Sequence, residues 1–161
     1  MKLRQRIEDE YKKYDLPTPS YPGKDRDLID RLKEVPVMND NDLRDYQIRL
    51  NAFWNYYTFQ AIQKKHEITE LEYEYDMALY YELENVDNKL YKTIKEREHK
   101  ALNQNTALKE LYENLLDVRA KQKTLEGLEK IFDKTLYTVS REITRRIEIM
   151  KGKDGHYGHS Q

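Results

Sequence analysis

The sequence predicts an all-α protein: a long antiparallel helical hairpin or coiled coil that follows short N-terminal helices and forms oligomers. Charged residues make up 37% and hydrophobic residues 38% of the 161 residues, a balance that favours long helices with a narrow apolar seam over a compact globule. All four prolines lie within the first 36 residues. Beyond them, apolar and aromatic residues recur at steps of three and four, which is the spacing of an amphipathic helix.

The first 38 residues are expected to form an irregular segment. A short helix is predicted from Leu3 to Asp15, followed by an extended, proline-rich stretch at 16–23. A second short helix is predicted over 25–34 and is ended by Pro36.

Residues 39–151 are expected to form the long hairpin, and one continuous rod is the competing geometry. Its first helix starts at Asn39–Asp42, whose side chains accept hydrogen bonds from the free N–H groups of a first helical turn. The seam of this helix begins with Leu43, Tyr46 and Leu50 and ends with Val86, Leu90 and Ile94. A single break is predicted at Asn103–Thr106, because Asn and Thr favour caps and turns. The second seam then runs from Leu108 to Met150.

Self-association is expected because a two-helix hairpin leaves part of its apolar seam on the outside. The aromatic cluster at 53–59 points around more than one helix face, so it packs either against the N-terminal segment or in an oligomer interface. The predicted interface residues are Phe53, Trp54, Tyr57, Leu108, Leu115, Leu125, Phe132, Leu136 and Val139.

Charge is distributed unevenly along the chain. Residues 67–87 contain eight carboxylates and no Lys or Arg, whereas residues 118–153 contain ten basic and five acidic residues. The basic helix either complements its own dipole and the acidic stretch, or it binds phosphate groups with an aromatic ring stacked on a base. The candidate nucleic-acid-binding residues are Lys130, Lys134, Tyr137, Arg141, Arg145, Arg146 and Lys151.

We expect a protein without enzymatic activity, metal or cofactor. No glycine-rich phosphate loop is present, cysteine is absent, and no set of residues offers a nucleophile, a base and oxyanion donors together. The tail at 152–161 holds His156 and His159, but no cluster of carboxylates supports a metal site there. No apolar run of 18 residues occurs, so we expect a cytoplasmic protein without a membrane partner. We also expect no small-molecule substrate.

The region 68–150 carries three features that together resemble a known family. A long helix holds the pair Tyr80-Tyr81, and an Asn-rich break follows at 103–105. A final amphipathic helix contains Leu-Glu-Gly-Leu-Glu at 125–129 and then Ser-Arg at 140–141. This arrangement resembles the UvsY family of phage recombination mediators. Glu82 and Leu83 depart from the family pattern, which usually has Gly and a basic residue after the tyrosine pair.

The resemblance implies an oligomeric helical ring or bundle that binds single-stranded DNA. Such a protein would help to load a recombinase onto DNA coated by a single-strand-binding protein, in the host cytoplasm if the chain is phage-encoded. Arg141, Arg145, Arg146 and the nearby lysines would contact the DNA. The alternative hypothesis is a structural or scaffolding coiled-coil protein of a phage with no affinity for nucleic acid. A third is an inhibitor whose acidic stretch mimics nucleic acid.

Overall fold

The structure, a computed structural model, describes residues 19–23 and 27–154. These residues are helical without any strand, so the all-α prediction is confirmed. The elements are a 3-10 helix at Asp30–Val37, α1 at Asp40–Glu84, α2 at Ile94–Gln104 and α3 at Thr106–Asp154. The predicted helix at 3–15, and His156 and His159, lie outside the described residues.

The described residues pack as two compact units. The central unit comprises residues 60–125, and the terminal unit comprises residues 19–59 and 126–154 without 24–26. Each long helix contributes one half to each unit. In the central unit, Arg119 on α3 donates to Glu72 on α1 at 2.6 Å. In the terminal unit, Gln47 on α1 donates to Ser140 on α3 at 3.2 Å. The halves of α1 and α3 therefore make direct contact within each unit.

The start of α1 lies where the sequence predicted it. The Asn39 side chain accepts a hydrogen bond from the backbone N–H of Asp42 at 2.9 Å, and its carbonyl accepts from Leu43 at 3.0 Å. This satisfies two of the donors that a first helical turn leaves free.

The first predicted helix does not run on to Asn103, which corrects the prediction of a single break. The helix α1 ends at Glu84, and nine residues without helix follow before α2 begins at Ile94. Polar side chains hold this turn: Asn85 donates to the Tyr81 carbonyl, and Asp87 accepts from the Lys89 N–H at 2.8 Å. These local bonds compete with the backbone hydrogen bonds of a continuing helix. The prediction missed the turn because apolar residues keep the helical spacing through it.

A capping box starts the short helix α2. The Thr93 hydroxyl accepts from the Glu96 N–H at 3.2 Å, and the Glu96 carboxylate accepts from the Thr93 N–H at 3.0 Å. The hydrogen bond from the Thr93 backbone lowers the pKa of Glu96 below its ordinary value.

The second break is a single residue, Asn105, between α2 and α3. Its side-chain oxygen accepts from the Leu108 N–H at 3.0 Å and caps α3. Its side-chain nitrogen donates to Glu82 near the end of α1. Asn105 therefore both starts a helix and ties it to a neighbour.

We expect Asn105→Ala to destabilise the protein by about 1–2 kcal/mol, because it removes a cap and a cross-helix hydrogen bond. Urea unfolding followed by far-UV circular dichroism measures the change. Asn103→Ala is the matched control, since Asn103 is an exposed residue inside α2, and it should leave the midpoint nearly unchanged. Equal effects at both positions would contradict the assignment of the cap.

The short helix before α1 also differs from the prediction. Residues 27–29 form a turn, and the helix is of the 3-10 type and continues through Pro36 instead of ending before it. Tyr46 on α1 donates through its hydroxyl to the Leu28 carbonyl at 2.7 Å, in a buried position. Leu28 itself is fully buried. This hydrogen bond therefore ties the turn to α1.

The terminal unit has an aromatic and aliphatic core. The Phe132 ring of α3 stacks on two rings of α1, with centroids 5.5 Å from Phe53 and 5.4 Å from Tyr57. Burial is the main cause that raises the pKa of the Tyr57 phenol above its ordinary value. The buried members of this core are Leu28, Val35, Met38, Leu43, Tyr46, Leu50, Phe53, Phe132 and Val139.

The central unit has a smaller core where α2 meets the two long helices. Ala101 of α2 is fully buried beside Leu79, Val86 and Leu108. Val86 lies in the turn after α1, so the break in the helix brings it into this core. In contrast, the seam residues Leu90 and Ile94 are 74% and 61% exposed, because the chain leaves the helical path before it reaches them.

Candidate nucleic-acid interface

A row of basic and aromatic side chains follows one exposed face of α3 in the terminal unit. Lys130, Lys134, Tyr137 and Arg141 are separated by four, three and four residues, which places them along one side of a helix. All four are exposed. In the part of the chain that the structure describes, none of the three cations pairs with a carboxylate. We call these four residues the basic row.

Tyr137 lies at the centre of the row. Its ring is 66% exposed, and the Arg141 guanidinium carbon lies 5.9 Å from the ring centroid. An exposed ring held beside a guanidinium presents a flat face for stacking and a donor fork for phosphate oxygens. The arrangement is therefore chemically suited to a single strand, whose bases and phosphates are both accessible.

A groove runs beside the row, between the 3-10 helix and α3. Its volume is about 740 Å³, and one wall is formed by Leu32, Val35 and Pro36. The hydroxyl-bearing side chains of Thr138 and Thr144 line the opposite wall. The groove thus combines an apolar wall with hydroxyl groups and with Tyr137 and Arg141 of the row, and the carboxylates of Glu142 and Glu148 also line it.

Arg146, a predicted DNA contact, is occupied within the chain. Its side chain is only 18% exposed, and it donates to the carbonyls of Met38 at 2.7 Å and Val35 at 3.0 Å. It also pairs with Asp40 at 2.9 Å and Glu142 at 2.8 Å. Arg146 therefore joins α3 to the end of the 3-10 helix and the start of α1, and it is not presented to a ligand.

Arg145 and Lys151, also predicted DNA contacts, are exposed. Arg145 makes a forked pair with Glu142, with nitrogen–oxygen distances of 2.8 and 2.7 Å. The hydrogen bonds from Arg145 and Arg146 lower the pKa of the Glu142 carboxyl to about 2. Arg145 therefore carries less free charge than the three cations of the basic row.

The residues predicted for an oligomer interface are mostly the chain's own core. Five of them are buried against partners in the same chain, and the other four are half-buried. A second copy could reach the buried ones only by opening a unit. The buried set is Phe53, Leu108, Leu115, Phe132 and Val139; the half-buried set is Trp54, Tyr57, Leu125 and Leu136.

The acidic stretch of α1 is only partly neutralised by its neighbours. Glu67 pairs with Lys64 on the same helix, and Glu72 pairs with Arg119 of α3. Glu74, Asp76 and Glu84 are exposed. The acidic stretch therefore retains surface charge in the central unit.

The sequence also contains one Glu-x-x-His pair, Glu96 and His99 on α2. The Glu96 carboxylate is engaged by the capping box described above. Among the described residues, no group of three or more His, Asp or Glu side chains lies close enough to hold a metal ion. No helix in the described ranges is long and apolar enough to cross a membrane.

Comparison with family models, with curated proteins and with solved structures found no match to this chain. The resemblance to the UvsY family therefore stays a prediction from the sequence.

Proposed function

We propose that the protein binds single-stranded DNA through the basic row of α3 and acts without enzymatic activity of its own. The supporting observation is the exposed row of three unpaired cations around Tyr137. Phosphate contacts by lysine and arginine supply most of the affinity of such complexes, and stacking on aromatic rings is tolerant of sequence.

The charge of the row indicates modest binding by one copy. Between residues 130 and 141 the chain has three basic residues and one acidic residue, Asp133, which gives a local charge of +2. Three phosphate contacts on a single strand correspond to a slope of about −2 for the logarithm of affinity against the logarithm of salt concentration.

The proposed biological role is that of a recombination or replication mediator, which helps to load a recombinase onto strands coated by a single-strand-binding protein. This part of the proposal rests on the resemblance of residues 68–150 to the UvsY family. The exposed row fits the role because a mediator has to touch DNA without sequence preference.

The test is fluorescence anisotropy with a labelled oligothymidine at two salt concentrations. Lys134→Glu with Arg141→Glu should weaken binding by about tenfold or more, and it should reduce the salt slope by about 1.4, because about two phosphate contacts are lost. Arg146 is left unchanged, since its substitution would disturb the fold.

The matched control is Lys89→Glu with Lys92→Glu, which makes the same charge change at exposed positions of the turn between α1 and α2. This variant should bind within about twofold of the original protein, because only screened long-range charge is altered. Equal losses in both variants would mean that net charge, and not the row, governs binding. Absence of binding by the unmodified protein would reject the proposal and favour the scaffolding alternative.

A further inference from the structure

A second surface, on α1 of the central unit, combines exposed aromatic side chains with negative charge. Tyr73, Met77 and Tyr80 follow each other at steps of four and three, and Tyr81 lies beside them. Tyr73 is 68% exposed and Tyr80 is 61% exposed. These four residues with Glu74, Asp76 and Glu84 are called the acidic aromatic surface.

Exposed apolar surface of this kind is typical of a site that contacts another macromolecule. Helical spacing places Tyr73, Met77 and Tyr80 on the side of α1 away from Leu79, the buried residue of the central core. The surface is therefore not a remnant of the seam between α1 and α3.

The charge of the surface restricts its partner. No Lys or Arg occurs between residues 66 and 88, so the charged side chains that this stretch of α1 contributes to the surface are all acidic. Two copies meeting through this same surface would bring carboxylates against carboxylates, which is unfavourable. The partner surface has to be basic and has to offer groups that pack against tyrosine rings.

The basic row of a second copy meets both requirements. Tyr73 to Glu84 and Lys130 to Arg141 each span eleven residue steps, or about 16 Å along a helix at 1.5 Å per residue. Lysine and arginine form cation–π contacts with tyrosine faces as well as ion pairs with carboxylates. The two surfaces therefore match in length, carry opposite charge and are complementary in chemistry.

We propose that the acidic aromatic surface of one copy docks on the basic row of a second copy. Because the two surfaces differ, the contact is heterologous, and each added copy leaves one surface of each kind free for the next. The inference shares the basic row with the proposed DNA contact but does not depend on DNA binding. It implies that single-stranded DNA and a second copy compete for the row.

The test uses a charge-swap pair and sedimentation velocity without DNA. The first variant, Glu74→Lys with Glu84→Lys, makes both surfaces basic, and the second variant, Lys134→Glu with Arg141→Glu, makes both acidic. The unmodified protein should associate at low salt and return to its monomer mass of 19.6 kDa at high salt. Each variant alone should stay monomeric at low salt, and an equimolar mixture of the two should associate.

The control is Glu110→Lys with Glu113→Lys, which makes the same charge change at exposed positions of α3 in the central unit. This variant should associate like the unmodified protein. A monomeric unmodified protein at low salt, or a mixture of the swap variants that does not associate, would overturn the inference. Circular dichroism of each variant checks that the helices are retained.

The failure of this inference is distinguishable from failure of the proposed function. The first variant keeps the basic row intact, so it should still bind oligothymidine at least as well as the unmodified protein. Association without any DNA binding would reject the proposed function alone. DNA binding by a protein that never associates would reject the docking of copies alone.

Discussion

Phe132→Ala is expected to destabilise the protein by about 3–5 kcal/mol, which is the cost of removing a large aromatic side chain from a packed core. Phe132 is buried and stacks on both Phe53 and Tyr57, at interplanar angles of 6° and 22°. Its removal leaves a cavity between α1 and α3 and takes away two aromatic contacts at once. Urea unfolding measures the loss, which amounts to a large share of the stability of an ordinary domain.

Tyr137→Ala is the matched control for this prediction, since Tyr137 is an aromatic residue of the same helix with an exposed ring. Its removal creates no cavity, and alanine has the higher helix propensity, so the change should stay within about 0.5 kcal/mol. A loss at Phe132 that depends on protein concentration would show that the ring stabilises an oligomer as the sequence predicted. A loss independent of concentration would agree with a core inside one chain.

Much of the fold follows from short-range signals. The cap at Asn39 starts α1, and the break predicted at Asn103–Thr106 is present at Asn105. The predicted seam residues Leu43, Tyr46 and Leu50 are buried. These features depend on helix periodicity and capping, and both can be identified from neighbouring residues.

The sequence prediction misses the turn at 85–93 because the apolar spacing of the seam continues through it. Val86, Leu90 and Ile94 continue the spacing of the seam, and neither proline nor glycine marks the turn. The chain leaves the helix because Val86 and Ala101 pack with residues of both long helices. Short-range signals are nevertheless present in the turn: Asn85 and Asp87 bond locally to the backbone, and Thr93 with Glu96 forms a capping box.

The candidate interface was also predicted only in part from the sequence. The basic row follows from helical spacing alone, and the exposure of Lys130, Lys134 and Arg141 agrees with it. The hydrogen bonds that engage Arg146 within the chain cannot be predicted from helical spacing, because its acceptors Met38 and Asp40 lie more than a hundred residues away in the sequence. An arginine whose carbonyl partners come from a distant turn looks identical in sequence to one that faces solvent.

Arg146→Gln is expected to produce a large loss of stability, because five acceptors in three segments share this one side chain. Its two terminal nitrogens donate hydrogen bonds to the carboxylate of Asp40 and to the carbonyls of Val35, Pro36 and Met38. The Nε–H donates to the carboxylate of Glu142. Glutamine is shorter and offers two donors on one nitrogen, so most of these acceptors lose their protein partner. Thermal unfolding should show a clearly lowered midpoint.

The neighbouring Arg145→Gln is a matched control, since it removes the same charge one residue away. Arg145 contacts only Glu142 among the described residues and is exposed, so its loss should be several times smaller. Arg146→Lys should behave more like Arg146→Gln than like the original protein, because a single ammonium cannot reproduce the planar fork of donors. Equal midpoints for the Arg145 and Arg146 variants would contradict the assigned role.

The pH dependence of the same contact gives an independent measurement. Because Arg145 and Arg146 lower the pKa of Glu142 from 4.5 to about 2, the folded state holds the carboxylate ionised where the unfolded chain binds a proton. The stabilisation is therefore fully present above about pH 4.5 and is lost as the pH falls towards 2. The difference in unfolding midpoint between the original protein and Glu142→Gln should stay constant from neutral pH down to about 5 and shrink below it. Because Arg146→Gln removes one of the two hydrogen bonds to this carboxylate, the total decline should be smaller in that variant and should be complete at a higher pH. An unchanged decline would show that Arg145 alone sets the pKa, and would limit the role of Arg146 to the carbonyls and Asp40.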